Sequence, residues 1–257
     1  MDEREKLQQM QNAFIQSLPE NFSILEEAID VDIQHKYFEF GKDIEKLNEK
    51  ETVTAIELTL KDDNFEAHRL NLIRLARTER AEAYRVIVNY REQCTNKKMK
   101  AWATLAMQES RMVLESDLLD DDHPVFVSTG LGGKNQSIRF FMVVLLKDAE
   151  DVYTQVQKRL VRTELDFQLK GNGGELEHIR FVECFAICTF LYPLKKQLQP
   201  LITDVMNECN QYGNFLREEL IITNVKKLSL PEIRTFVKIK ESENQPETPN
   251  HLKDENS

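Results

Sequence analysis

The chain has 257 residues, 41% of them hydrophobic and 30% charged, with a formal net charge of −10. That mix belongs to a helix-rich globular protein, and eight glycines are too few for a large all-β fold with many tight turns. The excess of acid counts against a non-specific nucleic-acid binder. The longest apolar run, Phe140 to Leu146, is far short of the roughly 20 residues needed to cross a bilayer. The first residues, Met1-Asp-Glu-Arg-Glu, are acidic and lack the apolar stretch of a secretory signal. Cys94, Cys184, Cys188 and Cys209 show no framework spacing, so free thiols and a cytoplasmic setting are expected.

To about Leu119 the spacing is helical almost throughout, with Pro19 the only proline and Gly41 the only glycine. Leu7, Met10, Phe14 and Ile15 share one stripe; Leu18-Pro-Glu-Asn ends that helix, and Ile24, Leu25, Ala28 and Ile29 begin a short second one. Charge is uneven along this half. Glu20 to Glu66 holds 14 acidic and 5 basic residues, whereas Arg69 to Lys100 holds 9 basic and 3 acidic. The basic stretch is either a set of solvated helix faces or a surface for an acidic partner, with Arg69, Arg74, Arg77, Arg80 and Arg85 as the candidates.

A shift of thirty residues brings apolar positions into coincidence. Val53 meets Ala83, Ile56 meets Val86, Leu60 meets Tyr90, Leu72 meets Trp102, Leu75 meets Leu105, and Ala76 meets Ala106. Each unit reads as two helices joined by a polar connection, with Asn64 and Asn96 as N-caps. Leu72 to Tyr90, "LIRLARTERAEAYRVIVNY", resembles the joint between HEAT-like helical repeats, over about residues 51–119. That resemblance implies a surface presented to another macromolecule and no chemistry of its own. An ordinary helical bundle is the alternative, since a solenoid usually needs about three units to bury a continuous core. Glu109 interrupts the apolar stripe of Trp102, Leu105, Ala106, Met112 and Val113; it calls for an Arg or Lys partner or a raised pKa. Asp120-Asp-Asp-His-Pro124 marks a boundary.

Beyond it the period changes. Val125 to Ser128 and Ile138 to Leu146 read as strands, and Asp148 to Leu169 as a helix ended by Gly171-Asn-Gly-Gly174. Glu177 to Tyr192 reads as one long strand, Leu194 to Gln211 as a helix, Leu216 to Val225 as a strand, and Arg234 to Lys240 as a short edge strand. The expected fold class is α+β: N-terminal all-α HEAT-like helical hairpins over 1–122, then an α+β sandwich over 123–240, ferredoxin-like or related, then a disordered acidic tail over 241–257.

Gly130-Leu-Gly-Gly-Lys134 is the first candidate for a ligand site. Only two residues separate Gly130 from Gly133, Asn135 follows the lysine, and a strand rather than a helix comes next, so this is no P-loop. Either the glycines turn a hairpin, or Gly130, Gly132 and Gly133 offer amides to an anion helped by Lys134 and Arg139. On a strand, Cys184 and Cys188 stand about 13 Å apart, too far to share a metal. No Cys-x-x-Cys, His-Glu-x-x-His or Gly-x-Ser-x-Gly is present, and the five histidines follow no pattern.

These readings favour a non-enzymatic cytoplasmic adaptor with a basic helical surface. It would need no catalytic residue, metal or cofactor, and its partner would be a protein with an acidic surface. Nucleic acid and membrane are not the expected partners, and a homodimer is allowed. Two alternatives stay open: an enzyme or nucleotide or anion binder centred on Gly130 to Lys134, and an RNA- or ribosome-associated factor using the same basic helices.

Overall fold

The structure, a computed structural model, describes residues 13, 15–19, 22–45, 47–59, 65–119 and 125–243. The stripe of Leu7, Met10 and Phe14, the cap at Asn64, the acidic run at 120–123 and the tail beyond 243 lie outside them. Residues 1–226 make one compact unit and 227–257 a second. The molecule is α+β: helices first, then an antiparallel sheet carrying helices.

The helices of the first part are α1 (Val31–Gly41), α2 (Glu49–Thr59), α3 (Phe65–Ala76), α4 (Ala81–Gln93) and α5 (Lys97–Leu119). Asp30 caps α1, its Oδ1 accepting from the Asp32 amide at 2.8 Å. Asn96 caps α5 through the amides of Lys98 and Met99. A single core gathers Tyr37 of α1, Ala55 of α2, Leu72 and Ile73 of α3, Ala83 and Ile87 of α4, and Trp102 and Leu105 of α5. Leu25 and Ile29, which precede α1, belong to the same core. The thirty-residue echo is only partial in packing. Leu72 and Trp102, Leu75 and Leu105, and Ala76 and Ala106 are all buried, but Val53 is 48% exposed where its counterpart Ala83 is fully covered.

Residues 24–29 do not form the expected short helix. Ser23–Ile24 is a strand, β1, paired in parallel with β2 (Phe126–Val127). The isolated apolar residues there satisfy a sheet edge as well as a helix turn, and the distant partner at 126–127 decides between them.

The sheet is formed by β3 (Gly133–Lys134), β4 (Ser137–Leu146), β5 (Glu175–Val182), β6 (Phe185–Pro193) and β7 (Leu216–Thr223). β4 is central: β6 pairs with one side of it, β7 and β3 with the other, and β5 lies outside β6, all antiparallel. Helices α6 (Gln155–Gly171) and α7 (Leu198–Gln211) complete a βαββαβ order with β4 to β7. The apolar run of β4 is explained by burial, since Phe141 to Leu146 are at most 5% exposed. The single long strand expected over Glu177 to Tyr192 is a hairpin instead. It turns at Glu183-Cys184 with Glu183 at φ 54°, a reversal made without glycine, proline or asparagine and so without the usual sequence signal. In the second unit, the edge strand expected at Arg234 to Lys240 is part of a helix, α8 (Leu230–Glu243). Ser229 begins it, its amide and hydroxyl both donating to Glu232.

Candidate functional site

The Gly130–Lys134 segment is neither the hairpin's turn nor an open cradle. The turn that reverses β3 into β4 is Asn135-Gln136, with Asn135 at φ 54° between the paired Lys134 and Ser137. The glycines serve close approach between backbones. A Cβ on Gly130 would lie 1.7 Å from the Val225 carbonyl oxygen, and one on Gly132, at φ +67°, would lie 2.3 Å from that of Glu26. The amide of Leu131 donates to Asn224 O, that of Gly132 to Thr129 O and that of Gly133 to Leu25 O. Arg139 makes a two-bond fork with Glu177 at 2.6 and 2.8 Å and gives a third bond to Leu131 O at 2.8 Å. An anion here would have to displace these bonds. Lys134 is exposed.

The five arginines proposed as one basic face are not brought together as one. Arg77 points inward: its Nε meets Glu109 Oε1 at 2.9 Å, and its Nη1 donates to the carbonyls of Gly41 and Ile44. Tyr37 donates to the other Glu109 oxygen at 2.5 Å, so the carboxylate in the apolar stripe has its cation and a hydroxyl. Burial and the neighbouring Glu109 charge hold the Tyr37 phenol well above its ordinary pKa. Arg80 begins α4 beside Glu82, and Arg85 is exposed on that helix. Arg69 pairs with Glu66 and lays its guanidinium over the Trp102 ring, 5.2 Å from the centroid.

Around Arg69 a different site takes shape. A cleft of about 550 Å³ opens between α1, α3 and the start of α5. Asp30, Asp32, Ile33, Lys36, Glu39 and Phe40 line it from the α1 side, Arg69 from α3, and Lys98 and Trp102 from α5. Helical spacing explains the division within α1. Gln34, Tyr37 and Gly41 face the core, which leaves Phe38 and Phe40 outward at 41% and 42% exposure. Phe40 stands edge-on to Trp102, with centroids 5.9 Å apart, and Tyr37 packs against the same indole at 5.2 Å. Trp102 is fixed by its Nε1 bond to Arg69 O at 3.3 Å. Among the described residues Lys36 and Lys98 make no ion pair, whereas Glu39 is occupied by Lys42 at 2.6 Å, which lowers its pKa. The cleft thus offers an exposed aromatic edge, two uncommitted ammonium groups and an acidic rim at Asp30 and Asp32. Sequence reasoning singled out Arg69 and Trp102 but passed over Lys36-Tyr-Phe-Glu-Phe40, whose alternation of aromatic and charged residues was the available signal.

Cys188 and Cys209 are buried, and burial pushes both thiols up to about 12. Among the described residues no group of three or more His, Cys, Asp or Glu could hold a metal ion, and no helix is long and apolar enough to cross a membrane.

No family model matches the chain, and no curated protein matches it. Solved structures do. One is a Deinococcus radiodurans R1 protein provisionally named a transposase, at 9% identity and TM-score 0.36, covering 40% of this chain and 91% of that one. Another is a REP-associated tyrosine transposase bound to a REP hairpin, at 10% identity and TM-score 0.31, covering 40% of this chain and 63% of that one. At these values neither places an activity on this chain. Both matches are to structures named as transposases, not as helical repeats, and the HEAT-like resemblance is withdrawn, together with the adaptor role and the protein-only partner that rested on it. The expectation that nucleic acid is not a partner is withdrawn as well; one of these structures is bound to a REP hairpin.

Proposed function

We propose that this protein binds nucleic acid in single-stranded or locally unstacked form, through the cleft between α1, α3 and α5. The observation that carries this is the exposed Phe40 ring against Trp102, with Lys36 and Lys98 uncommitted at the same cleft. Unstacked bases present flat π faces that pack on aromatic side chains, and their linking phosphates pair with nearby cations. Asp30, Asp32 and Glu39 offset the cations in number, so stacking supplies more of the affinity than charge does. This also reconciles a nucleic-acid ligand with a chain of net charge −10. We further read the βαββαβ part as ferredoxin-like, a reading supported by the order β7-β4-β6-β5.

The test uses the chain's single tryptophan as its reporter. Trp102 emission is followed while mixed-sequence single-stranded DNA or RNA oligonucleotides are added to the full-length protein. Saturable quenching is expected, and Phe40→Ala should weaken binding by about 1–3 kcal/mol, the usual loss of one stacked base. If Lys36 and Lys98 each meet one phosphate, log K should fall with log salt at a slope of about −1.4. Absence of binding, or equal binding by Phe40→Ala and Lys36→Gln/Lys98→Gln, overturns the reading.

A further inference from the structure

A second hollow, of about 270 Å³, lies between α2 and α3. Asn71 and Arg74, one turn apart, line it from α3; Lys50, Glu51 and Thr54 line it from α2. Asn71 is only 7% exposed, and among the described residues its amide makes no hydrogen bond. The Nε of Arg74 is buried without a partner, and the guanidinium makes no ion pair with any described residue. Proteins seldom strand a buried donor, because each one left unmet costs about 1–3 kcal/mol. Here one such donor, the Arg74 Nε, lies a turn from the Asn71 amide on the same helix, and both residues line the same hollow.

The donors also agree in kind. Arg74 offers a planar fork, Asn71 an amide, and Lys50 an ammonium that makes no ion pair among the described residues. The one acid, Glu51, is engaged in capping α2: its Oε2 accepts from the Asn48 amide at 2.9 Å while its own amide donates to Asn48 Oδ1. We propose that this hollow binds a phosphoryl group, held by Arg74 and Asn71 with Lys50 at the mouth. Three donor groups approaching from two helices suit a tetrahedral oxyanion with oxygens in several directions. The proposal stands on α2 and α3 alone and does not depend on the aromatic cleft.

Full-length protein is titrated with inorganic phosphate while the side-chain resonances of Arg74 Nε and Asn71 Nδ2 are followed by NMR. Parallel titrations use 5′-AMP, as a phosphoryl group on a larger molecule, and acetate, as a plain carboxylate. Saturable shifts at both side chains are expected with phosphate, with 5′-AMP, or with both; the arm that binds more tightly names the source. Acetate should shift them little. Arg74→Gln should raise the phosphate dissociation constant at least about tenfold, the loss expected for one charged hydrogen bond. Without phosphate the same variant should be as stable as wild type or more so, since it removes a half-buried charge with no partner. Lys50→Gln, on the exposed side, is a second arm that leaves the core untouched and should weaken binding more modestly. The proposal is overturned by phosphate shifts that are absent or unchanged in Arg74→Gln. It is equally overturned if phosphate binds only after Glu51→Gln, because Arg74 would then be satisfied from within the protein.

Discussion

At the scale of single residues, Glu109 shows how an odd residue in an apolar stripe is absorbed. Arg77 neutralises it, Tyr37 donates to it, and Arg77 Nη1 ties down the carbonyl of Gly41, which ends α1, and that of Ile44 just beyond it. The pair is partly covered, with side-chain exposures of 25% and 21%. Removing one partner therefore leaves the other short of a charged hydrogen bond in a poorly solvated place. Glu109→Ala should lower unfolding free energy by about 1.5–3 kcal/mol, the usual worth of a hydrogen bond to a charged group. Urea denaturation would show this as a lower midpoint with an unchanged slope. A shift within error of zero would mean that the network contributes nothing net. Because Tyr37 also packs against Trp102, the same substitution should perturb indole emission.

At the scale of elements, the glycine segment is a joint between backbones. Gly130 touches the stretch after β7, Gly132 the stretch after β1, and Gly133 begins β3. Gly130→Ala should cost about 1–3 kcal/mol, as overpacking does in a well-packed interior. The Val225 carbonyl cannot move away freely, since its neighbour Asn224 is held by the Leu131 amide. Gly171→Ala is the matched control. It lies at the end of α6, where an added methyl would meet nothing within 4 Å and φ is not positive, so it should be neutral or stabilise by about 0.4–1 kcal/mol. Thermal unfolding of the two variants side by side separates close approach from mere flexibility. Equal effects would contradict the joint.

At the scale of the whole molecule, burial of titratable groups sets a limit at high pH. Cys188 and Cys209 are pushed up to about 12, and Tyr37, Tyr153 and Tyr192 are raised, desolvation being the first cause for each. In the unfolded chain thiols and phenols lose their protons near 9 and 10. Above those values the unfolded state holds fewer protons than the folded one, so stability falls as pH rises. The decline should begin near 9 and steepen past 10, by up to about 1.4 kcal/mol per pH unit for each fully buried group. Denaturant midpoints measured from neutral to alkaline pH would check it. Cys188→Ala should flatten the first part of the decline, and an unaltered curve would remove that thiol from the account.

Much of the fold was legible from residue order alone. The helical first half, the change of period after Pro124, the buried β4, α6 with its glycine stop and the cap at Asn96 all follow from local rules of spacing, capping and turn chemistry, which need no distant partner. The split of β5 from β6 and the pairing of Ser23–Ile24 with Phe126–Val127 did not follow, because each segment suits two conformations and pairing with distant residues chooses between them; the helical state of residues 230–243 did not follow either. The candidate sites depend still more on tertiary structure. Lys36, Phe40, Arg69, Lys98 and Trp102 span more than sixty positions, and Lys50 lies over twenty from Arg74. Charge and aromaticity are properties of residues, but which arginine is consumed by the interior and which is left unpaired is settled only by the packing of helices against one another.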